Sequence, residues 1–173
     1  MNNLVAIVGR PNVGKSTLMN ALVGEKLSII TAKAQTTRHR ILGIVNGEEH
    51  QIIFSDTPGI LQPAYQLQES MMDFVKSAFD DADILIYMVE IGEKELKNEA
   101  FFKRIINTKI PVILLINKID KSTQEEVEEK IAYWKNKVPN SHTYVISALE
   151  KFNIETVFNK IIELLPEGPA FYP

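Results

Sequence analysis

The chain has 173 residues, a 45% hydrophobic fraction and a formal net charge of −3, which together predict one globular domain with a sizeable core. The absence of cysteine excludes disulfides, thiolate metal sites and cysteine nucleophiles. No basic run advertises nucleic-acid binding, no secretory signal precedes the first strand, and no apolar run reaches the ~18–20 residues of a membrane span, so a soluble cytoplasmic protein is expected.

Residues 4–8 are a continuous apolar, β-branched run and predict a strand buried on both faces. They feed into Gly9-Arg10-Pro11-Asn12-Val13-Gly14-Lys15-Ser16, a GxxxxGKS phosphate cradle. A helix follows over 15–23, with Leu18, Ala21 and Leu22 at helical spacing. Residues 25–38 predict a long loop of a kind that is uncommon unless it has a function. Two strands are predicted over 39–45 and 51–54, with Asn46-Gly47 between them as a hairpin signal. Asp56-Thr57-Pro58-Gly59, a DxxG element, opens a second irregular loop to Gln66, and a helix follows over 67–79.

A buried strand is predicted over 84–89 and a helix over 94–107, with Leu96, Ala100, Phe101 and Ile105 on one side. The strand over 111–116 delivers Asn117-Lys118-Ile119-Asp120, an NKxD element. Ser122 with Glu125 reads as a capping box opening a helix to about Val138. The last strand is predicted over 143–146 and leads into Ser147-Ala148. Asn153 is expected to cap the final helix, with Phe152 and Val157 as a hydrophobic staple. Strands and helices alternate, which predicts an α/β sandwich whose ligand edge lies at the carboxyl ends of the parallel strands.

Three motifs in this order, each ending an apolar strand, point to GTP. Gly9 and Gly14 permit close backbone approach to phosphates, and the helix starting near Lys15 turns its positive end toward the anion. Lys15 suits the β- and γ-phosphates, Ser16 suits Mg²⁺, and Thr17 continues the cradle. The Asp56 carboxylate suits Mg²⁺ through water, and the Gly59 N–H can meet the γ-phosphate. Asp120 can accept from guanine N1–H and N2–H₂, a donor pair adenine lacks. The Lys118 stem can lie over the ring, and the Ala148 N–H can reach guanine O6. His39, His50 and His142 form no metal or catalytic pattern.

On these residues the chain resembles a Ras-type G domain of the translation-factor-related class, and within it the Era family of bacterial ribosome-assembly GTPases. The phosphate loop from Gly9 through Thr17-Leu18, Gln35-Thr36-Thr37-Arg38-His39-Arg40 as first switch, Asp56-Thr57-Pro58-Gly59-Ile60 and Asn117-Lys118-Ile119-Asp120 carry the resemblance. The Leu-Pro-Glu-Gly-Pro stretch over 165–169 is similar to the family's interdomain linker. The resemblance implies a P-loop G domain over 1–165, with a six-stranded, mostly parallel sheet, one antiparallel strand and helices on both faces. Residues 166–173 are then the start of a linker to an absent C-terminal RNA-binding KH domain. It implies GTP/GDP and Mg²⁺ as ligands, hydrolysis of GTP to GDP and phosphate, and a role in small ribosomal subunit assembly. Small-subunit ribosomal RNA and the 30S particle are implied as partners of a full-length protein, not of this fragment. Peripheral membrane association is likewise implied only for a full-length protein.

Thr37 is the better of two candidates for the switch threonine that closes on Mg²⁺, and Thr36 is the other. Ile60 stands where Ras-type proteins carry a water-orienting glutamine, and isoleucine neither donates nor accepts a hydrogen bond. Hydrolysis is therefore expected to be slow or to rely on another group. Similarity to the potassium-activated members implies a K⁺ ion beside the phosphates, with the Asn12 side-chain oxygen as a ligand; alternatively, Asn12 only stabilises the loop. The expected catalytic set is Asn12, Lys15, Thr37 and Gly59, and the expected metal set is Ser16, Thr37 and Asp56. Two other functions stay open: a nucleotide-gated interaction module with negligible turnover alone, and the G domain of another tRNA-modifying or ribosome-assembly GTPase.

Overall fold

The computed structural model describes residues 4–9, 13–22, 40–46, 51–56, 82–92 and 99–165. The first strand, β1 (Leu4–Gly9), is buried at all six positions. It leads into α1 (Lys15–Leu22), and β2 (Arg40–Asn46) and β3 (Gln51–Asp56) follow. Next come β4 (Ile84–Glu90), α2 (Glu99–Ile106) and β5 (Val112–Asn117). A single 3₁₀ turn (Ile119–Lys121) precedes α3 (Gln124–Lys137), β6 (Ser141–Val145) and α4 (Ile154–Leu164).

The six strands form one sheet in the order β2-β3-β1-β4-β5-β6. All neighbours are parallel except β2 and β3, which pair antiparallel with an irregularity between Ile41 and Gly43. The antiparallel strand pair expected on either side of Asn46-Gly47 is therefore present, although Asn46, expected in the turn, is the last residue of β2 and pairs with Gln51. Its turn, residues 47–50, lies outside the described residues, as do the expected first-switch loop and the helix expected over 67–79.

Strand periodicity sorts the core into two layers. Leu4, Ala6 and Val8 of β1 face one side with Leu85, Tyr87, Val112 and Leu114, under Ile105 of α2 and Trp134 of α3. Val5 and Ile7 face the other side with Ile84, Ile86, Ile113 and Leu115, under Leu18 of α1 and Ile154, Val157 and Ile161 of α4. Each fully buried aliphatic side chain contributes about 1.5–3 kcal/mol, so these layers outweigh the surface ion pairs in holding the sheet together beneath its loops. Trp134 meets Tyr87 edge-on, with ring centroids 5.8 Å apart and planes at 88°.

Four local expectations are corrected. The residue capping α3 is Thr123, not Ser122: its side chain accepts from the Glu126 N–H at 3.3 Å. The Ser122 N–H is already used in closing the 3₁₀ turn on Ile119 O at 3.0 Å. Asn153 stands at the start of α4 but makes no side-chain cap; its φ is 63° and its Nδ2 donates to Val145 O at 3.0 Å. Phe152 stays 54% exposed while Val157 is fully buried, so the expected staple does not close over that helix start. β6 begins two residues earlier than expected, and Ile146 lies past its end while still donating to Ile116 O at 2.8 Å.

Candidate functional site

The carboxyl ends of β1, β3, β4 and β5 lie along one sheet edge. Gly9 pairs with Met88, Ile7 with Asp56, and Glu90 with Asn117. This edge gathers the described parts of all three motifs.

Gly9 ends β1 where a Cβ would sit 2.7 Å from Met88 O and 3.0 Å from Val13 Cγ1. No side chain fits there, so the end of β1 lies directly against β4's backbone. Gly14 has φ +111°, a region that L side chains rarely adopt, and a Cβ there would overlap the Asn117 side-chain amide. The Gly14 carbonyl accepts the first helical bond, from Leu18 N at 2.8 Å. The helix thus begins just after Gly14, and a helix N-terminus directly after a glycine turn is the arrangement that binds anions. The Lys15 ammonium donates to Gly9 O at 3.4 Å, which turns the cation back toward the end of β1. This cradle, with no room for a Cβ and a cation beside it, fits a polyphosphate.

Asp56 ends β3 beside Ile7, two residues before the cradle begins. For Asp56 and Ser16 the backbone alone is described. Arg10, Pro11, Asn12, Thr36, Thr37, Thr57, Pro58, Gly59 and Ile60 lie outside the described residues. Among the described residues no group of three or more His, Asp or Glu side chains could by itself hold a metal ion.

The base end is tied together by side chains. Asn117 is 2% exposed. Its Nδ2 donates to Val13 O at 2.9 Å, across 104 residues of sequence. Its Oδ1 accepts from the Ala148 N–H at 3.0 Å, and its backbone carbonyl accepts from Ile91 N at 3.0 Å. Both ends of the amide are therefore spent inside the protein, bridging the phosphate loop to the loop after β6. The Ala148 N–H, expected to reach guanine O6, is given to Asn117 in this arrangement.

Lys118 has φ 67°, and this left-handed residue turns the chain sharply out of β5 into the 3₁₀ turn that carries Ile119 and Asp120. The Ile119 N–H donates to Ile146 O at 3.4 Å, joining that turn to the end of β6. Asp120 is exposed, and its Oδ1 accepts the Ser147 hydroxyl at 2.8 Å. Ser147 Oγ accepts in turn from Glu150 N at 3.1 Å. An antiparallel bridge between Ser147 and Phe152 closes the loop behind it. Among the described residues Asp120 Oδ2 has no partner, so the carboxylate is held by one oxygen and keeps acceptor capacity for a ligand.

Glu90 is a residue that sequence reasoning missed: its Oε1 lies 3.1 Å from Lys118 Nζ. The available signal was an acid ending an apolar strand in register with the NKxD element.

The sheet order, the glycine-cornered cradle and the tethered base-side loops define an α/β P-loop G domain. The family model described as a 50S ribosome-binding GTPase matches residues 4–118, and the chain belongs to that family. Among curated proteins it is similar to GTPase Era of Heliobacterium modesticaldum, 40% identical over 173 residues, 99% of this chain and 58% of that protein. It is also similar to GTPase Era of Thermoanaerobacter pseudethanolicus, 42% identical over 169 residues, 97% of this chain and 56% of that protein. Among solved structures, an Aquifex aeolicus Era variant bound to GDP·AlF₄⁻ matches with TM-score 0.76 and 41% identity, over 98% of this chain and 59% of that one. Era in complex with MgGDPNP and nucleotides 1506–1542 of 16S ribosomal RNA matches with TM-score 0.78 and 41% identity, over the same shares of the two chains. The chain thus spans under two thirds of the length of the relatives it matches. No helix among the described residues is long and apolar enough to cross a membrane.

Proposed function

We propose that this chain is a guanine-nucleotide switch domain of the Era type, which binds GTP and GDP with Mg²⁺ and hydrolyses GTP slowly. One observation carries the reading: a single buried side chain, Asn117, hydrogen-bonds the phosphate loop at Val13 and the base-side loop at Ala148. A cradle alone would take any nucleoside triphosphate. A cradle tethered to an Asp120 carboxylate fits one whose base offers paired donors.

In this reading Lys15 lies against the β- and γ-phosphates, and Gly59 meets the γ-phosphate through its N–H. Ser16, Asp56 and Thr37, or Thr36 in its place, would hold Mg²⁺. The ion would offset charge on the phosphate oxygens as the bond to the γ-phosphorus breaks. Water attacks the γ-phosphorus, GDP leaves, and inorganic phosphate is released. Ile60 cannot orient that water, so the reaction leans on positive charge from Lys15; the Asn12 side-chain oxygen would hold a K⁺ ion, which would supply further positive charge beside the phosphates. Residues 1–165 are proposed as the G domain and 166–173 as the start of a linker to an RNA-binding domain. Small-subunit ribosomal RNA is then the partner of a full-length protein, and cytoplasmic location its setting. This chain, with net charge −3, is expected to bind RNA weakly.

Two measurements test the reading. GTP and GDP should displace labelled GDP while ATP does not; equal competition by ATP overturns the base assignment. Single-turnover phosphate release should be faster in KCl than in matched NaCl, and Asn12→Ala should remove the difference without changing GDP affinity. If wild type and Asn12→Ala respond alike to the two salts, Asn12 only stabilises the loop. Ile60 favours a second reading, a nucleotide-gated interaction module; no measurable phosphate release in either salt would establish it.

A further inference from the structure

Glu90 ends β4 opposite Asn117 in the parallel register, and the Ile91 N–H closes on Asn117 O at 3.0 Å. The ends of β4 and β5 are thereby fixed to each other. Across this joint the Lys118 ammonium reaches Glu90 Oε1 at 3.1 Å, with the two side chains 30% and 36% exposed. The backbone of Lys118 is held as well: φ is 67°, and its carbonyl accepts from Lys121 N at 3.1 Å. A lysine fixed at both ends has its methylene stem stretched along the sheet edge, two residues from Asp120.

We propose that Glu90 is a positioning residue for guanine binding: it draws the Lys118 stem across the base site before nucleotide arrives, so that the methylenes cover one face of the purine. This rests on the guanine reading given above. A free lysine side chain samples many rotamers, and ordering them on binding opposes affinity. A stem already held by its tip avoids that cost. The pair is partly exposed, so its effect is modest and sensitive to salt. The contact is with the ring's face, not its edge. It therefore acts equally on guanine and on hypoxanthine, which lacks the N2 amine that Asp120 would read.

The test is stopped-flow release of fluorescent GDP and IDP from wild type, Glu90→Gln, Lys118→Ala and the double variant. Glu90→Gln, which keeps the side chain's size, should release both nucleotides roughly two- to five-fold faster, leaving the GDP-to-IDP ratio unchanged. The acceleration should shrink in about 1 M NaCl, where the ion pair is screened. In the Lys118→Ala background, Glu90→Gln should add nothing. Glu90→Asp keeps the charge on a shorter stem and should fall between wild type and Glu90→Gln. Unchanged release from Glu90→Gln at low salt, additive effects in the double variant, or a shifted GDP-to-IDP ratio each overturns the positioning role. If wild type binds neither nucleotide, the guanine reading itself fails. If wild type binds both and Glu90→Gln is indistinguishable from it, only the role of Glu90 is lost.

Discussion

The two ends of the site are built on opposite principles. At the phosphate end the chain omits atoms: Gly9 lies against Met88 O and Gly14 against the Asn117 amide, each where a Cβ has no room. At the base end it adds polar atoms and spends them internally: Asn117 on Val13 and Ala148, Ser147 on Asp120 and Glu150. A backbone cradle needs nothing beyond N–H groups and space, because every nucleotide presents the same phosphates. Reading a base needs a particular carboxylate at a particular angle, and an exposed carboxylate holds its angle only if something fixes it. The phosphate end should therefore fail when a methyl group is added, and the base end when a polar group is removed.

The largest effect should come from changing what the base end reads. Asp120→Asn replaces an acceptor-only group with one that also donates, which suits the carbonyl of xanthine in place of the guanine amine. A site built for one hydrogen-bond pattern rejects the other by about 10⁴-fold, so competition titrations should show preference moving from GDP toward XDP on that scale. If the two nucleotides bind the variant with the wild-type ratio, Asp120 is not the base reader.

The phosphate end should break next. Gly14→Ala forces a side chain into φ +111° and onto the Asn117 amide. Backbone strain of about 1–3 kcal/mol and overpacking of similar size predict a combined loss of about 2–6 kcal/mol. Urea unfolding should show the loss, and GDP affinity should fall with it because the displaced amide also holds Val13. A stable Gly14→Ala protein with intact GDP binding would mean that the cradle tolerates added atoms after all.

The pattern of what the sequence disclosed follows from the same contrast. β1, β4 and β5 were legible to within a residue or two because strands covered on both faces are continuous apolar runs. The cradle and the NKxD element were legible because each is contiguous. What the sequence could not disclose is tertiary: the bond from Asn117 to Val13 spans 104 residues, and Glu90 meets Lys118 only because β4 and β5 are neighbours in register. Local capping was misread by one residue at Ser122 because both Ser122 and Thr123 are able caps, and the 3₁₀ turn ending at Lys121 had already claimed the Ser122 N–H. Asn153 was placed correctly but given the wrong partner, since its amide turns back to β6 instead of forward to α4.

Between the two ends stands Asn117, and truncating it should weaken both. Asn117→Ala leaves Val13 O and the Ala148 N–H without their side-chain partner. Each buried, unpaired group costs about 1–3 kcal/mol, so the two together should lower stability by roughly 2–6 kcal/mol. GDP and inorganic pyrophosphate binding should both suffer, since the cradle loses its tether along with the base loop. Weakening confined to GDP would show that the ends are independent and that the bridge is incidental.

The smallest effect tests whether the base end reads without acting on chemistry. Ser147→Ala removes the hydroxyl that donates to Asp120 Oδ1 at 2.8 Å and the acceptor that Glu150 N uses at 3.1 Å. The loop itself should survive, because the Ser147–Phe152 bridge is made by backbone atoms, with Phe152 N on Ser147 O at 2.9 Å. Asp120 is exposed, so water takes the place of the hydroxyl, and the loss is that of one ordinary hydrogen bond, about 1 kcal/mol. GDP and GTP affinity should fall equally, by about five-fold, because the two share the base. Ser147→Thr keeps the hydroxyl and should restore both. Phosphate release at saturating GTP should be unchanged, since Lys15 and the cradle are untouched. A fall in that rate with affinity intact would place Ser147 in the hydrolytic step and erase the division between the two ends.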